Sequence, residues 1–193
     1  MSRRVRRVMR SIAVGLLLAA GSVPASAQGG QAGQAGTQGG GRTPERRDAR
    51  EYAPQGLIGT WVQNVAKSKY DPGPPLKSQM RLFDYTADGN ILCYYIQENQ
   101  QGRKTVGHWI VSLDGQEWPE YFRNSGSLVG ALVGIKKVDD YNMEITVRRN
   151  GQLIQNGLWT LAKDGQTLTQ VLRSLNADGK VTGTNTVVFE KQP

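Results

Sequence analysis

Met143-Glu144-Ile145-Thr146-Val147-Arg148 alternates apolar and polar side chains one for one, and Asn150-Gly151 follows directly after Arg149. Alternation with a period of two marks a strand with one buried face. Asn-Gly accepts the positive φ angles of a tight hairpin turn. The same punctuation recurs at Asp88-Gly89, Asp114-Gly115, Asp164-Gly165 and Asp178-Gly179, and Asp139-Asp140-Tyr141-Asn142 reads as a further turn between strands. Thr184 to Glu190 is rich in Thr and Val, as strands are. From Gly56 onward no run of ten or more residues carries a helical period. The predicted strands are Gly59–Asn64, Gln79–Thr86, Asn90–Glu98, Lys104–Leu113, Leu132–Val138, Met143–Arg149, Leu153–Ala162, Thr167–Ser174 and Val181–Glu190. Strands joined mostly by short hairpins form an antiparallel meander, and closing the meander removes its exposed edges. The expected fold is therefore all-β, a single antiparallel up-and-down barrel of about eight to ten strands. An interior of that size is filled by side chains or holds one small ligand.

Two segments break the hairpin rhythm. Lys67 to Lys77, with Asp71-Pro72-Gly73-Pro74-Pro75, reads as a rigid connection without ladder hydrogen bonds. Arg123 to Ala131 reads as an irregular stretch of Gly, Ser, Leu and Val. Its aliphatic residues either complete the core as an ordinary strand, pack on another subunit or fold over the barrel mouth. In the last case Leu128 and Val129 form a lid on a pocket rimmed by Trp118, Tyr121 and Phe122.

Ahead of the barrel the composition changes twice. Arg3, Arg4, Arg6, Arg7 and Arg10 precede an apolar core from Ile12 to Ala20, and Ala25-Ser26-Ala27 offers small residues for cleavage. This is the order of a secretory signal peptide, with the cut before Gln28. Gln28 to Gly41 is almost entirely Gly, Gln and Ala and cannot bury apolar surface. Arg42 to Gln55 follows as a charged connector. The expected organisation is a signal peptide over 1–27, a disordered Gly/Gln-rich and charged linker over 28–55, and a barrel domain over 56–193. Such a chain is periplasmic or secreted, with no integral membrane segment after cleavage. The sequence leaves its oligomeric state open.

Charge and composition exclude several chemistries. The formal net charge is +8, but residues 1–27 hold five arginines and no acid, which leaves 19 basic against 16 acidic residues beyond them. No clustered basic face remains for nucleic acid. Cys93 is the only cysteine, so an internal disulfide is ruled out, and its place in Ile91-Leu92-Cys93-Tyr94-Tyr95-Ile96 reads as a buried, inert thiol. His108 is the only histidine, which excludes a multi-imidazole metal site. No Gly-rich loop leads from a strand into a helix, so no phosphate cradle is implied. Neither a metal nor a cofactor is expected. In Val106-Gly107-His108-Trp109-Ile110-Val111 the larger apolar body is Trp109, which orients Trp109 inward and His108 outward. The aromatic residues exceed what a plug requires, and they either fill the interior or line a partly open pocket. The candidate ligand contacts are Tyr94, Trp109, Trp118, Tyr121, Phe122, Leu128 and Val129, for a small apolar or aromatic molecule.

Gly59-Thr60-Trp61, then Asn64-Val65-Ala66-Lys67-Ser68-Lys69-Tyr70, then Pro72-Gly73-Pro74-Pro75 and Lys77-Ser78-Gln79 resemble a group of small exported bacterial proteins with lipocalin-like (calycin-type) β-barrels. The resemblance runs on through Asp114-Gly115-Gln116-Glu117-Trp118-Pro119, Lys163-Asp164-Gly165-Gln166-Thr167-Leu168-Thr169 and Val188-Phe189-Glu190-Lys191-Gln192. It implies a lipocalin-like barrel in which Trp61 is structural and plugs one end. The segment Ser127-Leu128-Val129-Gly130-Ala131-Leu132-Val133 is more apolar than the polar loop of that group. Related barrels also host isomerases, cyclases and lyases, for which the candidates here are Tyr94, Tyr95, Asp84, His108 and Arg148. A third class, an envelope interaction or structural protein, would use the outer surface and the Gly/Gln tail.

Overall fold

The computed structural model describes residues 47–124 and 127–193; the side chains of Asn124 and of residues 127–129 lie outside that description. The segments expected to be a signal peptide and, up to residue 46, a linker likewise fall outside the described residues. A short helix, α1 (Ala49–Tyr52), precedes eleven strands: β1 (Gly59–Gln63), β2 (Lys69–Asp71), β3 (Ser78–Tyr85), β4 (Ile91–Glu98), β5 (Lys104–Val111), β6 (Asp114–Asn124), β7 (Ser127–Lys137), β8 (Asn142–Arg149), β9 (Gln152–Leu161), β10 (Thr167–Leu175) and β11 (Val181–Lys191). From β3 to β11 each strand pairs with the next, and β1 pairs with both β3 and β11, so ten antiparallel strands close into a barrel. The extra strand is β2. It continues β1 along the same edge of β11 after a 3-10 turn at Val65–Lys67, which Asn64 caps by accepting from the Lys67 N–H. Asn64 to Ser68 is thus the break in one long strand, and Lys69 to Asp71, expected to lie in a connection without ladder hydrogen bonds, instead pair with Thr184 to Thr186.

Two differences from the sequence expectation concern β6 and β7. The segment expected to be an irregular stretch is strand on both sides: Arg123 and Asn124 end β6 and residues 127–131 begin β7, with Glu120↔Ala131, Phe122↔Val129 and Arg123↔Leu128 in register, while residues 125 and 126 lie outside the description. The β6 strand escaped notice because Asp114-Gly115 reads as a turn and Pro119 as a breaker. The ladder absorbs both. Its register shifts between Asp114 and Glu117, with Gly115 at φ 89°, a bulge that lets the chain turn and still continue as strand. Pro119 lies one residue beyond the last β5–β6 pair, Trp109↔Glu120, so its missing N–H breaks no bond to β5.

One end of the barrel is closed by chain that the sequence placed in a linker. The Asp48 carboxylate accepts from the Arg50 N–H at 2.9 Å and caps α1, and the Ala49 N–H donates to the Gly89 carbonyl at 2.7 Å. A Cβ on Gly89 would lie 2.6 Å from that carboxylate, so only glycine, here at φ 75°, lets the helix dock on the β3–β4 turn. Ala49 and Leu57 are buried against the end of the barrel. Trp61, fully buried, donates from Nε1 to the Leu57 carbonyl at 2.8 Å, with the Lys191 ammonium over its ring. Behind them Phe83, Trp109 and Trp159 meet with ring centroids 5.9–6.1 Å apart and fill the barrel's cross-section.

Candidate ligand-binding site

Strand alternation decides what the interior contains. On β3 the inward set is Gln79, Arg81 and Phe83, because Phe83 pairs with buried Cys93 and Arg81 with buried Tyr95. On β10 the inward set begins Leu168 and Gln170, both fully buried, and continues through Leu172 and Ser174. On β6 Trp118, Glu120 and Phe122 share the inner face, half-buried, while Tyr121 is exposed. Phe83 and Leu168 lie near the plug, and Arg81, Gln79, Gln170, Glu120 and Ser174 lie farther along the same inner faces, interleaved with Leu172 and Phe122, so the half of the interior away from the plug holds most of its polar groups.

Arg81 occupies the boundary. Its guanidinium lies 5.2 Å from the Tyr95 ring centre, 5.6 Å from Trp159 and 5.8 Å from Phe189. These rings hold it by cation–π attraction. Hydrogen bonding to it is sparse: Nη1 reaches only the Cys93 sulfur, at 3.5 Å, and Nε is buried without a partner. Among the described residues no carboxylate stands within ion-pair distance of it. Other buried polar atoms without partners share the interior: Trp159 Nε1, Gln63 Oε1 and both amide atoms of Gln170. Each such group costs about 1–3 kcal/mol when left unmade.

Beside Arg81, the Tyr95 hydroxyl donates to Glu120 Oε1 at 3.0 Å. Gly107 makes this possible. A Cβ there would run into the Tyr95 phenol, and the facing Phe122 Cβ would be 2.8 Å away. Burial raises the Glu120 carboxyl above its ordinary pKa, against the lowering effects of the Tyr95 hydroxyl, Arg81 and Arg149. Burial, and then the neighbouring Glu120 charge, hold the Tyr95 phenol far above its usual range. Burial pushes the Cys93 thiol up to about 11, with Arg81 opposing. At neutral pH that thiol is protonated and poorly nucleophilic.

A cleft of about 290 Å³ opens within this polar half, between Arg81, Trp109 and Trp159 on its floor and Glu120, Arg149 and Ser174 nearer the mouth. Val133, Ile145, Val147, Ile154 and Leu172 form its walls. Arg149, Gln155 and Ser174 belong to the ends of β8, β9 and β10 that lead into the β8–β9 and β10–β11 turns, opposite the α1 plug.

The structure separates the sequence-derived candidates. Trp109 lines the cleft. Phe122 faces inward beneath the Arg149 guanidinium, 5.5 Å from its centre. Trp118 also faces inward, but it is near the plugged end, where its Nε1 donates to Ser112 Oγ at 3.3 Å. Tyr94 and Tyr121 face outward: Tyr94 pairs with His108, and the Tyr121 and His108 rings lie 5.9 Å apart on the outer surface. Leu128 and Val129 are placed by backbone register on β7, and their side chains lie outside those described. The enzyme candidates do not converge. Tyr95 is inside, whereas Asp84 is exposed and accepts from the Tyr85 N–H, His108 is exposed, and Arg148 donates to Glu117 at 2.7 Å across the outer face. Sequence reasoning missed Arg81, Glu120, Arg149 and Gln170. Their one signal was parity: Gln79 and Arg81 share the strand face of Phe83, as Gln170 shares that of Leu168.

In comparisons with known proteins, no family model matches this chain and no curated protein matches it in sequence. Fold and cleft together define the class: a closed ten-stranded antiparallel barrel, plugged at one end, with an internal cavity toward the other.

Proposed function

We propose that this chain is an exported binding protein whose barrel takes up one small molecule with a largely apolar or aromatic body. The observation that carries the reading is the cleft of about 290 Å³, enclosed by barrel strands and walled by Trp109, Val133, Ile145, Val147, Ile154, Trp159 and Leu172. Small-molecule sites are concave, with apolar walls and polar groups that fix orientation, and this cleft sets Arg81, Glu120, Arg149, Gln155 and Ser174 among its apolar walls. The Arg-rich start, the apolar run Ile12 to Ala20 and Ala25-Ser26-Ala27 support export. The resemblance to exported lipocalin-like barrels supports both parts of the reading.

N-phenyl-1-naphthylamine, a neutral fluorophore that brightens in apolar surroundings, tests the binding site. Titration should show saturable uptake of one dye per chain. Leu172→Trp, which places a large ring in the cleft from a half-buried wall position, should abolish it. Uptake that ignores Leu172→Trp would put the dye elsewhere on the protein, and absence of uptake would remove the proposal.

A further inference from the structure

We propose that the molecule held in the cleft is an amphipathic monoanion whose compact oxyanionic head, a carboxylate or its equivalent, pairs with Arg81. The inference rests on the binding reading above and adds the charge of the ligand.

Three observations support it. First, Arg81 is an inward-facing cation with no protein counter-charge in contact. Nη1 has only a sulfur partner, Nε has none, and Nη2 makes no hydrogen bond among the described residues. A guanidinium keeps its charge at any working pH, and the rings around Arg81 do not neutralise it, so an anion entering the cleft meets an uncompensated cation. Second, the charges lining the cleft do not balance. Arg81 and Arg149 are cationic, Glu120 is the one acid, and the remaining lining residues are neutral. Glu120 does not neutralise Arg81 by contact; its hydrogen bond is to the Tyr95 hydroxyl. The site is therefore net positive even with Glu120 ionised. Third, the donor is already held in place. The rings of Tyr95, Trp159 and Phe189 fix the guanidinium in the free protein, so little ordering remains to be done when an anion arrives. Above it the cleft is walled by Val133, Ile145, Val147, Ile154 and Leu172, and its second cation, Arg149, stands near the mouth. The site thus suits a single compact charge at the floor and an apolar body above it.

A matched pair of dyes tests the charge alone. 8-Anilinonaphthalene-1-sulfonate is N-phenyl-1-naphthylamine with one sulfonate added. With the purified full chain, the sulfonate dye should bind about ten- to hundredfold more tightly than the neutral one, the range of one charge-assisted hydrogen-bonded contact. Arg81→Met should bring that ratio to near unity, and Arg81→Lys should retain part of it. Equal affinity of the two dyes for the wild-type chain would overturn the inference while leaving the binding reading intact, and it requires no variant to fold. A preference that survives Arg81→Met would place the anion elsewhere and overturn it as well. Failure of both dyes to bind would remove the binding reading and this inference together.

Discussion

The two ends of this barrel interior are built on opposite terms. At the plugged end Leu57, Trp61, Phe83, Leu168 and Phe189 are almost completely buried, and the one polar atom of Trp61 is bonded to a backbone carbonyl. Beyond it, Arg81, Gln170 and Trp159 carry buried polar atoms with no partner, and a cleft opens from Arg81 and Trp159 toward the other end. The same ten strands run through both regions, so the fold does not require the difference. Packing of the first kind yields stability. Unmade hydrogen bonds and uncompensated charge cost stability, and folds keep such groups where function uses them. The comparison therefore separates a half that holds the barrel together from a half whose cleft and unpartnered groups support the proposed binding role.

The largest expected effect tests the solid half. Trp61→Ala should cost about 3–5 kcal/mol, as large aromatic truncations in packed cores do. A small domain has about 5–15 kcal/mol in total, so urea denaturation should find the variant barely folded. A thermal midpoint within a few degrees of wild type would mean the plug contributes little, and the contrast between the ends would lapse.

Alkaline titration probes the boundary between the halves. The Cys93 thiol titrates at 9.0 when free and at about 11 in the fold, because burial disfavours the thiolate. A raised value means that its contribution is complete below pH 9 and is lost as pH rises through 11. The loss is about 2–3 kcal/mol, since each pKa unit is worth about 1.4 kcal/mol. Urea denaturation across that window should show a steeper fall for wild type than for Cys93→Ala. Identical pH profiles would show that the thiol is solvated. In the folded protein it should also react slowly with thiol reagents.

Gly107→Ala acts inside the polar half. Its methyl would displace the Tyr95 phenol and with it the bond to Glu120. Overpacking of this kind costs about 1–3 kcal/mol, read by thermal melting. An unchanged midpoint would show that Tyr95 has room to spare. The smallest effect is expected at Arg81. Breaking a buried ion pair costs about 3–5 kcal/mol, but Arg81 has no paired charge to strand. Arg81→Met in the ligand-free protein relieves a partly desolvated charge and gives up cation–π contacts worth about 0.5–2 kcal/mol, so the two changes should offset to within about 1 kcal/mol. A loss of several kcal/mol would mean that the protein already satisfies the guanidinium.

The barrel was legible in the sequence because turn dipeptides and period-two alternation are local signals. Met143 to Arg148 forms β8 as read, and Trp109 and His108 face the sides assigned to them. The site was less legible because facing is a tertiary property. On β4 both faces are apolar, so Tyr94 was a fair inward candidate until its partner proved to be the exposed His108. On β3 apolar Met80 and Leu82 lie outward while Gln79 and Arg81 lie inward, the reverse of what a hydrophobic pattern suggests. The hairpin of β6 and β7 was obscured by a bulge and a proline that a ladder tolerates. The plug was obscured because Ala49 sits in a charged segment whose docking depends on distant Gly89. In each case the missing information was which strand lies beside which.

The most direct test is a crystal structure of the chain with 8-anilinonaphthalene-1-sulfonate. The two-ended account predicts the naphthalene body between the walls formed by Val133, Ile145 and Leu172, a sulfonate oxygen within hydrogen-bond distance of the Arg81 guanidinium, and a plugged end unchanged around Trp61. Dye on the outer surface, or an interior dye whose sulfonate points to solvent while Arg81 pairs with Glu120, would contradict it.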